Sequence, residues 1–254
     1  MKTKPERRRS RLDQALVERG CCASREQAQR AVLAGQVRIN DRVAQKSSES
    51  VLPSDELTLE APQRFVSRGG FKLEHALQEF RLDVRGIVAL DIGASTGGFT
   101  DCLLQFGAAR VYAIDVGRGQ LTWKLRHDER VVVMEKVNAR HLVPAHFTQP
   151  FQPVDLIVMD CSFISVTKIL PQLVALVRAR GHVVVLVKPQ FEAGKAEVDR
   201  GAGVITDPAI HERVLSELQT FVHRLPGLEW KSSIQSPLLG PAGNKEFLIL
   251  LART

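Results

Sequence analysis

Four side chains are placed to move a proton. Lys72, Asp160, Lys188 and Glu246 are two bases and two acids, each at or near the end of a segment patterned as a strand or helix. Lys188 directly follows the run ValValValLeuVal, so its ammonium is expected at the top of a buried strand. There desolvation lowers a lysine pKa and opposing carboxylates raise it. A lysine so placed can act as a general base. An isolated lysine or aspartate is more often half of a surface ion pair. Four such residues, expected on the same rim, point instead to a proton-transfer site.

The second set surrounds a glycine-rich loop, AspIleGlyAlaSerThrGlyGlyPheThr, at residues 91 to 100. Asp91, Gly93, Ala94, Ser95, Gly97, Gly98 and Phe99 are its candidate ligand contacts. Glycines let backbone approach a ligand closely, and the helix that follows offers free N–H groups. A tight strand-to-helix connection would use the same glycines. The dinucleotide fingerprint GxGxxG is absent, and an acidic residue heads the loop. That charge pattern suits a donor with a cationic sulfonium and no phosphate. Asp115 ends the next strand-like run, where a carboxylate accepts hydrogen bonds from ribose hydroxyls or caps a helix. Asn138, after the third strand, suits either an adenine edge or a turn. Phe163 and Phe191, beside Asp160 and Lys188, could stack on a base or serve as core or lid residues.

These residues need a scaffold. The runs Ile87 to Asp91, Val111 to Asp115, Val131 to Met134, Leu156 to Asp160, Val183 to Lys188 and Glu246 to Leu251 are strand-like, and helical segments separate most of them. The alternation predicts an α/β fold with a doubly wound, mainly parallel sheet, which binds ligands at the carboxyl ends of its strands. Ahead of it, Leu12, Ala15, Leu16 and then Ala28, Ala31, Val32 recur at helical spacing around a break near Gly20 to Ser24. Ser24 with Gln27 is a capping pattern, and Gly35 suits a helix end. ValArgIleAsn with Asn40-Asp41 as turn reads as a hairpin, and LeuThrLeu at 57 to 59 as a last strand. The expected organisation is a small α+β domain at 10–60, a linker at 61–67 and a large domain at 68–254.

The 254 residues carry a net charge of +7, and much of the surplus lies near the first two helices and the hairpin. Arg7, Arg8, Arg11, Arg25, Arg38 and Lys46, with Arg68 beyond the linker, form the candidate phosphate-tracking set. A solvated charged face would use the same residues. Cys21, Cys22, Cys102 and Cys161 lack the spacing of a zinc site, so no metal is expected and the thiols read as reduced, in a cytoplasmic protein. Neither a signal peptide nor a membrane-spanning run is legible.

Residues 10 to 60 resemble an S4 domain, a small RNA-binding fold, through ArgLeuAspGlnAlaLeuValGluArgGly and SerArgGluGlnAlaGlnArgAlaValLeuAlaGlyGlnValArgIleAsn. SerArgGlyGlyPheLysLeu at 67 to 73, the glycine loop, AspValGlyArgGlyGlnLeu at 115 to 121, AspCysSerPheIleSer at 160 to 165, ValLysProGlnPheGlu at 187 to 192 and GlyAsnLysGluPhe at 243 to 247 resemble the TlyA, or hemolysin A, family of ribosomal RNA methyltransferases. The resemblance implies an S4 domain joined to an FtsJ-like, Rossmann-like class I methyltransferase domain with S-adenosylmethionine as cofactor and ribosomal RNA or ribosomal subunits as partner. It implies transfer of a methyl group to a ribose 2′-hydroxyl, on a cytidine. It also places the family's Lys-Asp-Lys-Glu tetrad on Lys72, Asp160, Lys188 and Glu246, and adds Val116 and Asp160 to the cofactor contacts. Val137 stands where the family favours threonine. The alternatives are an RNA-binding ribosome-assembly factor with a degenerate methyltransferase fold, against which the intact tetrad argues, and a membrane-damaging hemolysin, for which the chain has no suitable amphipathic helix.

Overall fold

A computed structural model describes residues 9–33, 35–60 and 64–254. The chain divides into two compact units between Arg64 and Phe65.

In the first unit β1 (Ser10–Arg11) leads into α1 (Leu12–Glu18) and α2 (Arg25–Leu33), followed by β2 (Val37–Ile39), β3 (Arg42–Val43), β4 (Ser50–Val51) and β5 (Leu57–Leu59). The apolar faces of the two helices meet the strands in one small core of Leu12, Leu16, Ala28, Val32, Val37 and Val51. The Ser24 hydroxyl accepts a hydrogen bond from the Gln27 amide at 3.2 Å, as the capping pattern requires. The Gln27 carboxamide accepts from Ala23 N–H at 2.8 Å rather than from Ser24. Asn40 and Asp41 both take left-handed φ, the conformation of the tight turn whose twist matches a hairpin. The two-residue ladder of β1 with β4 is too short to leave any periodicity in the sequence.

The second unit begins with α3 (Gly69–Glu79), then β6 (Val88–Ile92), α4 (Gly98–Gln105), β7 (Arg110–Asp115), α5 (Trp123–Arg126), β8 (Val131–Glu135) and β9 (Val154–Met159). It continues through α6 (Leu170–Leu173), β10 (Val177–Val187), α7 (Pro189–Glu192), α8 (Lys195–Arg200), α9 (Pro208–His223), β11 (Leu228–Gln235) and β12 (Phe247–Arg253). Seven strands form one sheet in the order β11-β12-β10-β9-β6-β7-β8. Five are parallel, and β12 runs antiparallel between β10 and β11. Alternate residues of the central strands feed opposite faces. Leu90, Ile92, Ile157 and Met159 pack with Leu170, Val214 and Leu218 on one side. Ala89, Leu156 and Val158 pack with Leu73, Phe99 and Leu103 on the other. Helices therefore cover both faces, and the doubly wound expectation holds.

Two departures have physical causes. The edge strand β11 buries little of its length, so LeuGluTrpLysSerSerIleGln carries no clean alternation to read. The strand ahead of Lys188 starts at Val177, six residues before the apolar run, because its first half is polar and kinked by an irregularity between Val177 and His182.

The topology turns at β6. The chain leaves it for β7 on one side and returns to β9 on the other, so the loops after β6 and β9 part there and open a crevice. At its base Gly93 takes φ +83°, and a Cβ on it would stand 2.5 Å from the Asp160 carbonyl oxygen. Both demands exclude any other residue. Gly93→Ala is expected to lower unfolding free energy by about 2 kcal/mol or more. Urea unfolding checks this, and an unchanged midpoint would contradict the account.

Candidate active site

The strand ends bring four charged groups to one rim. β10 pairs with β12 up to Val187 opposite Phe247, so the next residues, Lys188 and Glu246, lie at the same sheet edge. Asp160 leaves the neighbouring strand β9 at that edge. Lys188 Nζ lies 2.5 Å from Asp160 Oδ1 and donates to Ser162 Oγ at 2.8 Å. Lys72, in the first turn of α3, donates to Glu246 Oε2, and both side chains are buried. The turn between β11 and β12 packs around Glu246. Ser236 N–H donates to the Glu246 carbonyl at 2.8 Å, and a Cβ on Gly240 would meet Glu246 Oε1 at 2.7 Å. Arg68 fastens the same turn to the start of α3 by donating to the Leu239 carbonyl at 2.7 Å.

Beside Asp160 the crevice widens into a cavity of about 550 Å³. Gly93, Ser95, Asp115, Val116, Asn138 and Asp160 line it. That is small-molecule size, roughly 300–1,000 Å³. Asp115 ties two loops together, its carboxylate accepting from Ser95 N–H at 2.8 Å and Gly117 N–H at 2.7 Å. Asn138 does accept from Arg140 N–H at 3.0 Å, capping a short 3-10 turn, and also faces the cavity. Val116 is 72% exposed, an apolar surface with a ligand-sized space in front of it.

The rest of the glycine loop lies behind this wall. Gly97 packs on Leu125 and Gly98 on Ser67 and Gly70, while Ala94 and Phe99 are buried in the core. Asp91 is fully buried and accepts from Thr100 Oγ at 2.6 Å. Burial pushes its pKa up to about 7 against the Thr100 hydrogen bond, and the Asp160 charge adds to the rise.

Three side chains outside the expected set complete the rim. Ser162 holds Lys188. Glu192 accepts from Ser165 Oγ at 2.7 Å and Val166 N–H at 2.8 Å, locking the loop after β9 to the turn after β10; burial raises its pKa. Asn244, itself buried, accepts from Ile205 N–H at 2.8 Å and donates to the Gly203 carbonyl at 2.9 Å, anchoring the segment after α8. Each sits inside or next to a motif, but polar residues in loops carry no period that would single them out. Phe163 is 91% exposed, with its ring centroid 5.0 Å from that of Phe191.

Of the basic set, Arg11 and Arg25 both bond to Asp13. Arg38 reaches Glu60 at 2.5 Å, and the side chain of Lys46 stands in solvent. Arg7 and Arg8 lie outside the described residues.

Residues 65–253 match the FtsJ-like methyltransferase family model and residues 10–57 the S4 domain model. The 16S/23S rRNA (cytidine-2′-O)-methyltransferase TlyA of Mycobacterium tuberculosis is 46% identical, over 96% of this chain and 90% of its own. Hemolysin A of Brachyspira hyodysenteriae is 41% identical over 94% of this chain and 98% of its own. A solved structure from Streptococcus thermophilus with a provisional hemolysin label superposes with a TM-score of 0.73 at 44% identity, covering 98% of this chain and 90% of that one. The chain belongs to the TlyA family of S4-plus-FtsJ-like ribosomal RNA methyltransferases. Hemolysin names within the TlyA family find no membrane-crossing element here: among the described residues no helix is long and apolar enough to span a bilayer.

Asp91 gives the site a pH signature. An aspartate whose pKa rises on folding keeps its proton in the native state after the unfolded chain has released it, so it subtracts stability as pH climbs from about 4 to about 7. The rise to about 7 is worth up to about 4 kcal/mol over that window. Asp91→Asn is therefore expected to flatten the decline in unfolding free energy across it, followed by urea titration at several pH values. An unchanged slope would contradict the assignment.

Proposed function

We propose that this protein transfers a methyl group from S-adenosylmethionine to a ribose 2′-hydroxyl of ribosomal RNA, on a cytidine as in its TlyA relative, and works in the cytoplasm where ribosomes are. The observation that carries the reading is the Lys188–Asp160 pair at 2.5 Å on the edge of the 550 Å³ cavity, with the buried Lys72–Glu246 pair on the same sheet edge.

The residues present fit the cofactor. Gly93 keeps the crevice floor at backbone thickness, and Asp115 at the end of β7 offers carboxylate oxygens to ribose hydroxyls. Val116 and Asn138 supply an apolar surface and a polar edge for an adenine, and the acidic Asp160 suits a cationic sulfonium. Asp91, Gly97 and Gly98 act from behind, by holding the loop and the α4 N-terminus in place. When bound, S-adenosylmethionine supplies an electrophilic methyl carbon on a positively charged sulfur.

The protein's task is then the hydroxyl proton. Lys188, once it has given up its own proton, accepts that of the 2′-hydroxyl while the 2′-oxygen attacks in line. Asp160 and Ser162 fix the direction of Nζ. Lys72, aimed by Glu246, positions the ribose and offsets negative charge developing on oxygen. The exposed Phe163 ring offers a face on which an unstacked base can rest. The S4 unit and Arg68 hold the RNA backbone.

Incubation with methyl-labelled S-adenosylmethionine and each ribosomal subunit or its naked RNA, followed by nuclease digestion, is expected to place the label on a ribose; label on a base overturns the reading. Lys188→Ala is expected to cut turnover by about 10²- to 10⁴-fold while leaving cofactor affinity in place. A parallel loss of cofactor binding, measured by calorimetry, would instead assign Lys188 to the cofactor.

A further inference from the structure

Asp13 is an acid in the middle of the basic unit and is completely buried, at 0% exposure. It lies in the first turn of α1 and faces the start of α2. Arg11 grips it with a two-toothed fork, Nε to Oδ1 at 3.1 Å and Nη2 to Oδ2 at 3.0 Å. Arg25 Nη2 and Gln29 Nε2 reach the same Oδ2, each at 3.1 Å. The two arginine side chains remain about half exposed, at 47% and 53%. Among the described residues no other hydrogen bond engages either guanidinium. The hydrogen bond from Arg11 holds the Asp13 carboxyl well below the usual carboxylate range, so it stays ionised and keeps its hold.

The geometry sets the spacing of the two cations. Both Nη2 atoms contact a single oxygen, so they lie at most about 6 Å apart. Two guanidiniums would repel at that distance without the carboxylate between them. Each guanidinium keeps N–H groups that Asp13 does not engage, on side chains that are half exposed, and two forks held this close suit the oxygens of one phosphate group.

We propose that Asp13 is a positioning residue that assembles Arg11 and Arg25 into a preformed clamp for one phosphodiester of the RNA backbone. This rests on the reading of the first unit as an RNA-binding module. The clamp carries two positive charges against one negative, and its order is set before RNA arrives, so less side-chain freedom is lost on binding. A charge-only surface makes the opposite demand of Asp13, since a carboxylate there would only weaken attraction to phosphate.

The sign of one substitution separates the two. Full-length Asp13→Asn, which removes a negative charge, is expected to bind deproteinised ribosomal RNA roughly tenfold more weakly, with a salt dependence reduced by about one phosphate. Its KM for RNA rises while affinity for S-adenosylmethionine stays as in the parent. Arg25→Lys keeps the charge but loses the planar guanidinium that bonds Asp13 through Nη2 while leaving other N–H groups for phosphate, and weakens RNA binding in the same direction; because its side chain is about half exposed it decides the matter if Asp13→Asn melts. Unchanged or tighter RNA binding in the folded variants overturns the proposal. Arg11→Ala and Arg25→Ala that bind RNA like the parent would overturn the RNA-binding reading of this face, and the clamp with it.

Discussion

A buried lysine–glutamate pair joins residues 174 positions apart in the chain, and the rim of the second unit is organised around it. Removing two charges from water is costly unless the partners meet closely and their surroundings are fixed. Lys72 is carried on a helix packed through Leu73, Ala76 and Leu77 against the sheet. Glu246 immediately precedes β12, whose register with β10 brings it to the same sheet edge as Lys188. The turn from Ser236 to Asn244 closes over the carboxylate at Gly240, where a Cβ would press to 2.7 Å from Glu246 Oε1. Among the described residues no group donates to the buried Glu246 Oε1. An unmet acceptor of that kind costs about 1–3 kcal/mol.

Asp160 joins this pair to the cavity. It pairs with Lys188, lines the ligand space, and its backbone carbonyl closes on Gly93 at the point where the sheet reverses. Its charge also helps keep the proton on Asp91 one layer down. One residue thus couples the proposed base, the cavity proposed for the cofactor and the core beneath them. The loop that carries it is locked by Glu192 rather than left free, so the proposed catalytic groups sit on braced loops while the exposed Phe163 ring faces outward. That division matches what transfer to an RNA ribose demands: fixed geometry at the oxygen, and an open surface for a large substrate.

The sheet was legible because buried parallel strands are nearly continuous apolar runs, and Val183 to Val187 is such a run. β11 was hidden because an exposed edge strand needs no such pattern. At the site, residue type and strand-end position were enough to nominate Lys188 and Asp160, whose pairing follows from the register. The glycine loop was read as one ligand-facing stretch, yet only Gly93 and Ser95 of its nominated residues line the cavity. Composition cannot distinguish a glycine needed by a ligand from one needed by a neighbouring helix, as Gly98 against Ser67 illustrates. Ser162, Glu192 and Asn244 were out of reach for a related reason: their partners are backbone groups and side chains brought close only by the fold.

The central claim, that Lys72 and Glu246 act as one buried unit serving chemistry rather than stability, is tested most directly by a double-mutant cycle read in both unfolding free energy and turnover. Lys72→Met and Glu246→Gln singly each strand or unbalance a buried group and are expected to cost about 3–5 kcal/mol. The double variant is expected to regain much of that stability while turnover stays as low as in the singles. A double variant that is as active as the parent, or single variants whose stability losses simply add, would contradict it.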